Sequence, residues 1–461
     1  MLDRENNSYS FQDNSEKEVE KFVGIEIYAT SKMDGIGGVY KTTFKDFIVK
    51  EIAENGKILD IKADQSSSSF SAELKDKYTT FNLIKINKDT FEAARRISKA
   101  LNIPYRSLYY SGLKDKQSIS VQKFSVKGDH IAKLQNLRLR DIFIRNIHPT
   151  NKPVKLGSHL GNNFTIIIRN VEDSGDLEQR VKNILKFVTH NGFPNYFGLQ
   201  RFGNFRPNSH IIGRYLLERD YERAFNEYVL KTYSTESNES RSARTELRNQ
   251  QDLEKAYDNF PKILQYERKM IQYLMNNPDN FEGAVNTLPS DLKRLLISSF
   301  QSYIFNKMLS LRVKKGYSLF TPVEGDVISI LDDYNGNVTP VKYIYGGNYD
   351  EYLEKALNVN RALIILPIIG TNTNLDDFPL MKSIYKEIIE LEGINEDIFQ
   401  QDIAKDIAFK GSIRAIIAKP TDLKLSNTTD DECNINKKKI RIEFSIQKGS
   451  YATMLIRELI K

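Results

Sequence analysis

Asp115 stands out by its neighbours. It lies in the stretch SGLKDKQSISVQKFSV, between Lys114 and Lys116 and three residues after Gly112. From Lys85 to Lys155 the chain carries 16 Lys and Arg against 5 Asp and Glu, a local excess of 16 − 5 = +11, larger than the whole chain's net +7. Nearby cations favour an ionised carboxylate, and an ionised, positioned aspartate can act as a nucleophile. The plainer reading is a turn aspartate, because Gly-x-Lys-Asp suits a loop and surface ion pairs contribute little. A second stretch, PNYFGLQRFG (Pro194–Gly203), surrounds Asn195, Gln200 and Arg201 with glycines and aromatics. Glycines admit close backbone approach, and aromatics can stack a nucleic-acid base. The same Tyr196, Phe197 and Phe202 could equally pack into a core.

Other chemistries lack their signatures. GIGG and YGGN do not have dinucleotide-binding spacing, and neither a phosphate-binding GxxxxGK[ST] loop nor a Gly-x-Ser-x-Gly elbow is present. Nucleotide hydrolysis, transfer from a Rossmann-bound cofactor and esterase chemistry are all weakened, so a cofactor-free reaction is favoured. One cysteine, Cys433, excludes an intrachain disulfide and fits a reducing cytosol. The five histidines show no zinc-ligand spacing, so no zinc site is expected, while a carboxylate-only metal site stays open. No apolar run is long enough for a membrane span, and the polar N-terminus has no secretory h-region. Concentrated positive charge points to a polyanion, most simply a nucleic acid, with a solvated lysine-rich surface as the bland alternative.

The elements that must position these residues read as follows. GGVYKTTFKDFIVKEI predicts an edge-type strand pair after a glycine turn. DTFEAARRISKAL predicts a helix capped by Asp89, with Phe91, Ala94, Ile97 and Leu101 on one face. SLYY and SISVQKFSV predict strands around the SGLKDK turn, which puts Asp115 on a loop presented by a sheet. NNFTIIIRNV is a further strand, followed by a helix near Asp176–His190. The polar segment 231–256 reads as helical or partly mobile. SDLKRLLISSFQSYIFNKMLSLRV is a long helix with Leu292, Leu295, Leu296, Ser299 and Tyr303 on one stripe, and ALIILPIIG is β-prone. The C-terminus reads strand, Gly449 turn, then a helix that Ser450 could cap.

Taken in order, SGLKDKQSISVQKFSV, FPNYFGLQRFG and FSIQKGSYATMLIRELIK resemble successive signatures of the TruD family of RNA pseudouridine synthases. LGSHLGNNFTIIIRNV, VYKTTFKDFIVKEI and SFQSYIFNKMLSLR resemble further family segments, so the resemblance runs from about Gly35 to Lys461. Length and the GIGG entry look more like the archaeal and eukaryotic branch. Ser118, Ile119 and Ser120 depart from the common Ala-Val-Thr, and the match between Tyr221 and Lys405 is weak outside its helix motif.

The resemblance implies an α+β protein: a catalytic domain with a mixed, largely antiparallel sheet, plus an inserted α/β TruD-specific domain. By its resemblance the chain would have a split catalytic domain at 23–220 and 406–461 and the insertion at 221–405, while residues 1–22, polar and slightly acidic, read by composition as a mobile tail. Asp115 would be the catalytic aspartate and Lys41 a basic partner. Phe197, Asn195 and Phe47 would serve substrate binding, Phe197 by stacking on the uracil. The implied reaction is cofactor-free isomerisation of a tRNA uridine, uridine 13 in the D-arm, to pseudouridine. It would occur in the cytoplasm, by a monomer needing no obligatory protein partner. The competing reading is a non-catalytic RNA-binding or RNA-assembly protein on the same fold. It accounts for the basic field but not for Asp115, Asn195 and Phe197 together.

Overall fold

The computed structural model describes residues 8–9, 16–66, 77–203, 205–331, 338–348, 351–399 and 409–461 of the 461-residue chain. Residues 1–7 and 10–15 of the expected tail lie outside this set, while Glu16–Phe22 is a helix. The chain forms two compact units. Of the described residues, those within 29–193 and 418–461 form one unit, so two distant stretches of sequence combine in it; those within 1–28, 194–331 and 338–417 form the other.

The first unit is built on a ten-stranded sheet. Its main path runs Thr421–Leu425, Lys438–Gln447, Gly161–Val171, Phe47–Ile52, Ile119–Lys127, Tyr78–Ile86, Ile142–Thr150, with three short strands paired beside it. Val, Ile and Phe dominate these segments, as expected of strands buried on a packed face. All neighbours on this path are antiparallel except Phe47–Ile52 and Ile119–Lys127, where Ile48 pairs with Ile119 in parallel. That single parallel pair positions the site, because two strands that run the same way begin at the same end of the sheet. The chain entering Phe47 and the chain entering Ile119 therefore arrive side by side. The antiparallel strand Tyr78–Ile86 finishes at that same end, with Lys85 opposite Ser120.

Phe47–Ile52 is not the expected edge strand, since partners flank it on both sides. Its sequence FIVKEI looked half-polar, but Phe47, Val49 and Glu51 share the buried face. Glu51 is tolerated there because Lys114 and Ser111 satisfy it. The helix Thr90–Leu101 forms as expected, with the Asp89 side chain accepting from Glu92 N. It buries Ala93, Ala94, Ile97 and Leu101 with Phe81, Leu83 and Phe124 of the sheet. Phe91, assigned to that face, is instead 44% exposed. The C-terminal helix Ala452–Ile460 follows its turn, but Tyr451 rather than Ser450 holds the N-cap position, without a side-chain cap.

In the other unit the helix Ser290–Lys314 is buried almost all round between Leu296 and Leu309, wider than the single stripe expected; Leu295, assigned to that stripe, is exposed. The helix Ser209–Leu217 meets it so closely that a Cβ on Gly213 would fall 2.1 Å from the Leu296 carbonyl oxygen. A four-stranded antiparallel sheet orders Val338–Ile344, Val327–Leu331, Ala362–Ile368 and Ser412–Ala415. Much of the polar segment 231–256 is helical, in Asn238–Gln250 and Leu253–Asn259.

Candidate active site

Asp115 lies on the loop between strands Leu108–Tyr110 and Ile119–Lys127. Its side chain is 31% exposed, so it combines fixed geometry with solvent access. Lys41 Nζ donates to Asp115 Oδ2 at 2.7 Å across 74 residues of sequence. A short charge-assisted bond of this kind both orients a carboxylate and offsets its charge. Lys41 itself sits in the left-handed region, at φ 59°, a conformation that non-glycine residues keep only when their surroundings impose it. Those surroundings are explicit. The Asp46 carboxylate accepts from Thr43 N at 2.8 Å and from Arg169 Nε at 2.9 Å. Arg169 also donates to Asp431 at 2.7 Å. Gly38, at φ +89°, lets the incoming chain pass where a Cβ would lie 2.6 Å from the Arg169 carbonyl oxygen. Gln117 Nε2 then donates to the Lys41 carbonyl at 2.6 Å, tying the two loops together.

Phe47 is buried, and its ring centroid lies 4.1 Å from Lys41 Nζ. The aromatic thus supports the ammonium from below through a cation–π contact.

The aspartate loop is pinned at nearly every residue. Lys114 is not a partner of Asp115: its ammonium turns inward to Glu51 at 2.9 Å, with both side chains almost fully buried. The Glu51 carboxylate also accepts from the Ser111 hydroxyl and from Lys123 N. Thr90 Oγ1 accepts from Lys114 N at 3.0 Å and donates to Gln122, whose amide in turn donates to the Gly112 carbonyl at 2.7 Å. The Asp115 carbonyl accepts from Ser118 Oγ at 2.7 Å and from Lys85 Nζ at 2.6 Å. Burial is the largest influence on the Lys85 ammonium and pulls it down to about 8, against the upward pull of Asp115. Lys116, by contrast, is exposed.

Asn195 and Phe197 lie together in the other unit. The Asn195 amide is spanned on both sides: Nδ2 donates to the Ala415 carbonyl at 3.0 Å and Oδ1 accepts from Arg414 Nη2 at 2.8 Å. Arg414 also donates to the Asn195 and Tyr196 carbonyls, and its guanidinium carbon lies 4.1 Å from the Phe197 ring centroid. Phe305 meets Phe197 edge-on at 5.5 Å, and Asn306 brackets the Phe197 backbone, accepting from its N–H and donating to its carbonyl. Phe197 is 9% exposed and Asn195 is 6% exposed.

Sequence reasoning missed Glu51, Lys85, Arg169 and Arg414. Each lies in a β-prone segment that mixes apolar with polar residues, FIVKEI, FNLIKI, TIIIRNV and SIRA, so the only signal was a charge within a strand, and it did not say which side chain turns inward. Among the described residues no group of three or more His, Cys, Asp or Glu is placed to hold a metal ion, and no helix is long and apolar enough to cross a membrane.

The family profile described as tRNA pseudouridine synthase D (TruD) matches residues 22–459. A Methanosarcina barkeri protein named "Probable tRNA pseudouridine synthase D" is 32% identical over 452 residues, covering 96% of this chain and 98% of the relative. A Methanopyrus kandleri protein of the same name is 30% identical over 385 residues, covering 83% of this chain and 85% of its own. The crystal structure of a Methanosarcina mazei protein carrying the TruD designation superposes with a TM-score of 0.76 at 28% identity, covering 96% of this chain and 98% of that one.

Proposed function

The chain belongs to the tRNA pseudouridine synthase D (TruD) family and is a tRNA pseudouridine synthase, an isomerase; from that premise we propose that Asp115 is its catalytic carboxylate and uridine 13 of the D-arm its target. The observation that carries this reading is the 2.7 Å pair of Lys41 with Asp115 at the end of the sheet where the parallel strands begin. The reaction breaks the N1–C1′ bond of uridine, forms a C5–C1′ bond, and moves the C5 proton to solvent while N1 takes one up. Atoms balance without an external reagent. Asp115 serves as nucleophile, at C1′ or at uracil C6, or as the base that draws a proton from the sugar; all three roles use the same oriented carboxylate. Lys41 holds that carboxylate, and Phe47 supports Lys41 rather than reaching the base.

A uridine must leave its stack for such chemistry. Phe197 is the aromatic we assign to stacking on the uracil. Asn195, engaged through both amide atoms, holds the loop that carries Phe197. That residues 29–193 and 418–461 fall in one unit favours a split catalytic domain, proposed as 23–220 and 406–461 around the inserted segment 221–405, although the described residues of 23–28, 194–220 and 406–417 group with the other unit. The excess of lysine and arginine over Lys85–Lys155 suits the tRNA backbone. The single cysteine suits the reducing cytoplasm, and a monomer is the oligomeric state assigned here.

The test is to incubate the purified protein with unmodified tRNA and no cofactor, then map pseudouridine chemically. Pseudouridine at position 13 with the native chain, and none with Asp115→Asn despite retained tRNA binding, is the expected result. Turnover by Asp115→Asn would overturn the assignment.

A further inference from the structure

Lys85 is the penultimate residue of the strand Tyr78–Ile86, and it is completely buried. Lysine is almost never fully buried unless an opposite charge answers it. Here the atom that meets the ammonium is the carbonyl oxygen of Asp115, at 2.6 Å, rather than a carboxylate. The charged groups that face it are few. From the aspartate loop come Asp115 and Lys114, the first favouring the ammonium and the second opposing it; from the turn before helix Thr90–Leu101 comes Asp89. The flanking strands place uncharged residues beside it, Ser120 on one side and Ile142 on the other. Lys114 is already answered by Glu51.

A methionine or leucine at this position would fill the same space without a desolvated charge. Anchoring the loop does not demand one either, because the Ser118 hydroxyl donates to the same carbonyl at 2.7 Å. What lysine supplies beyond these is a positive charge fixed behind the aspartate, in a site too buried for water to screen it.

We propose that Lys85 is a positioning residue for Asp115, a buried cation that fixes the aspartate's backbone and supplies a second positive charge beside its carboxylate, so that the reaction proceeds only while Lys85 is protonated. This rests on the assignment of Asp115 above. Lys41 and Lys85 hold the aspartate from opposite ends: Lys41 binds the side chain, Lys85 the main chain. Desolvation brings the Lys85 ammonium down to about 8, which places its loss of charge within reach of an ordinary pH–rate profile.

The experiment is a single-turnover pH–rate profile on unmodified tRNA, with tRNA affinity measured in parallel, for the native chain, Lys85→Met, Lys85→Arg and Asp115→Asn. The native rate is expected to fall above about pH 8. Lys85→Met is expected to be slower by about 10-fold or more at neutral pH, with tRNA affinity unchanged and no alkaline fall of its own. Lys85→Arg, which keeps its charge, should recover part of the rate and carry activity to higher pH. A Lys85→Met variant with the native rate, or one with the native alkaline limb, overturns the proposal. Should Lys85→Met fail to fold, the comparison of native and Lys85→Arg decides, and coincident alkaline limbs overturn it. If neither variant folds, a native rate that stays flat through pH 8 and beyond does so. Turnover by Asp115→Asn sinks the assignment of Asp115 itself, whereas an inactive Asp115→Asn beside an unaffected Lys85→Met sinks only the role of Lys85.

Discussion

Lys41 Nζ lies 2.7 Å from Asp115 Oδ2 and 4.1 Å from the centroid of the Phe47 ring, so one ammonium bridges the proposed catalytic carboxylate and the aromatic core of the sheet. Removing the charge while keeping the stem, as in Lys41→Met, leaves Asp115 without this constraint. Turnover is expected to fall about 10- to 100-fold, equivalent to roughly 1.4–2.7 kcal/mol in the transition state. The affinity for tRNA should change little, because one side chain already paired within the protein adds little to a phosphate-dominated interface. Single-turnover rates and equilibrium binding on the same tRNA check this. Equal losses in both would make Lys41 an RNA contact instead.

Glu51 and Lys114 form a buried pair beneath the same loop, 2.9 Å apart and almost fully enclosed. Glu51→Ala strands the Lys114 ammonium and also orphans the Ser111 hydroxyl and the Lys123 N–H. Breaking one side of a buried pair typically costs about 3–5 kcal/mol. Chemical denaturation of Glu51→Ala should show a loss of that order, together with reduced turnover because Asp115 is the next residue along. The double variant Glu51→Met, Lys114→Met should recover stability relative to Glu51→Ala, since it removes both desolvated charges at once. A double variant less stable than Glu51→Ala would mean the pair itself holds the fold.

Much of this arrangement could be read from the chain, and the exceptions have a common cause. The helix Thr90–Leu101, the strands around SGLKDK and the strand Gly161–Val171 follow from capping and alternation, which are local properties. The inward turn of Lys114 to Glu51 was not legible in SGLKDK, where Lys114 and Lys116 flank Asp115 alike. What could not be read locally was which polar residues lie inside. Glu51, Lys85 and Arg169 sit in strands whose sequence looks half-solvated, yet each is buried because a residue far away in the chain answers it. The misplacement of Phe47–Ile52 at an edge has that origin: a Lys-Glu step suggests solvent unless Lys114, 63 residues on, is known to reach Glu51. Phe91 and Leu295 fail in the opposite direction. Their spacing fits an apolar face, but the sheet and helices they would need as cover lie elsewhere.

Arg414 and Asn195 are 219 residues apart and share three groups: the Asn195 carbonyl, the Asn195 side-chain oxygen and the Tyr196 carbonyl all receive Arg414 donors. The planar fork also covers one face of Phe197 at 4.1 Å. A lysine cannot reproduce that geometry. Arg414→Lys is therefore expected to destabilise the protein by about 1.5–3 kcal/mol, the usual range for hydrogen bonds to a charged group. Turnover should fall at constant tRNA affinity, because the loop carrying Phe197 loosens. Thermal melts and single-turnover rates measure the two effects. An Arg414→Lys variant with native stability and native rate would show that the fork contributes nothing.

The buried ammonium of Lys85 makes a stability prediction whose sign differs from that of an ordinary structural residue. Its value drops on folding from 10.5 to about 8, chiefly through burial. Between those two limits the unfolded chain binds the proton more tightly than the folded one. Stability therefore rises with pH across that window, and below about 8 the protonated, folded lysine carries the full penalty. The difference corresponds to roughly 3 kcal/mol, as an order of magnitude. Lys85→Met should remove that penalty. Its melting temperature at neutral pH should equal or exceed that of the native chain, and the rise in stability between about pH 8 and 10.5 should be missing. A residue kept only to hold the loop would behave in the opposite way, since its removal would lower the melting temperature at every pH. Melting curves of the two proteins from neutral to alkaline pH separate the cases. A more stable but slower Lys85→Met would mean that the charge is retained at the expense of stability for the sake of Asp115.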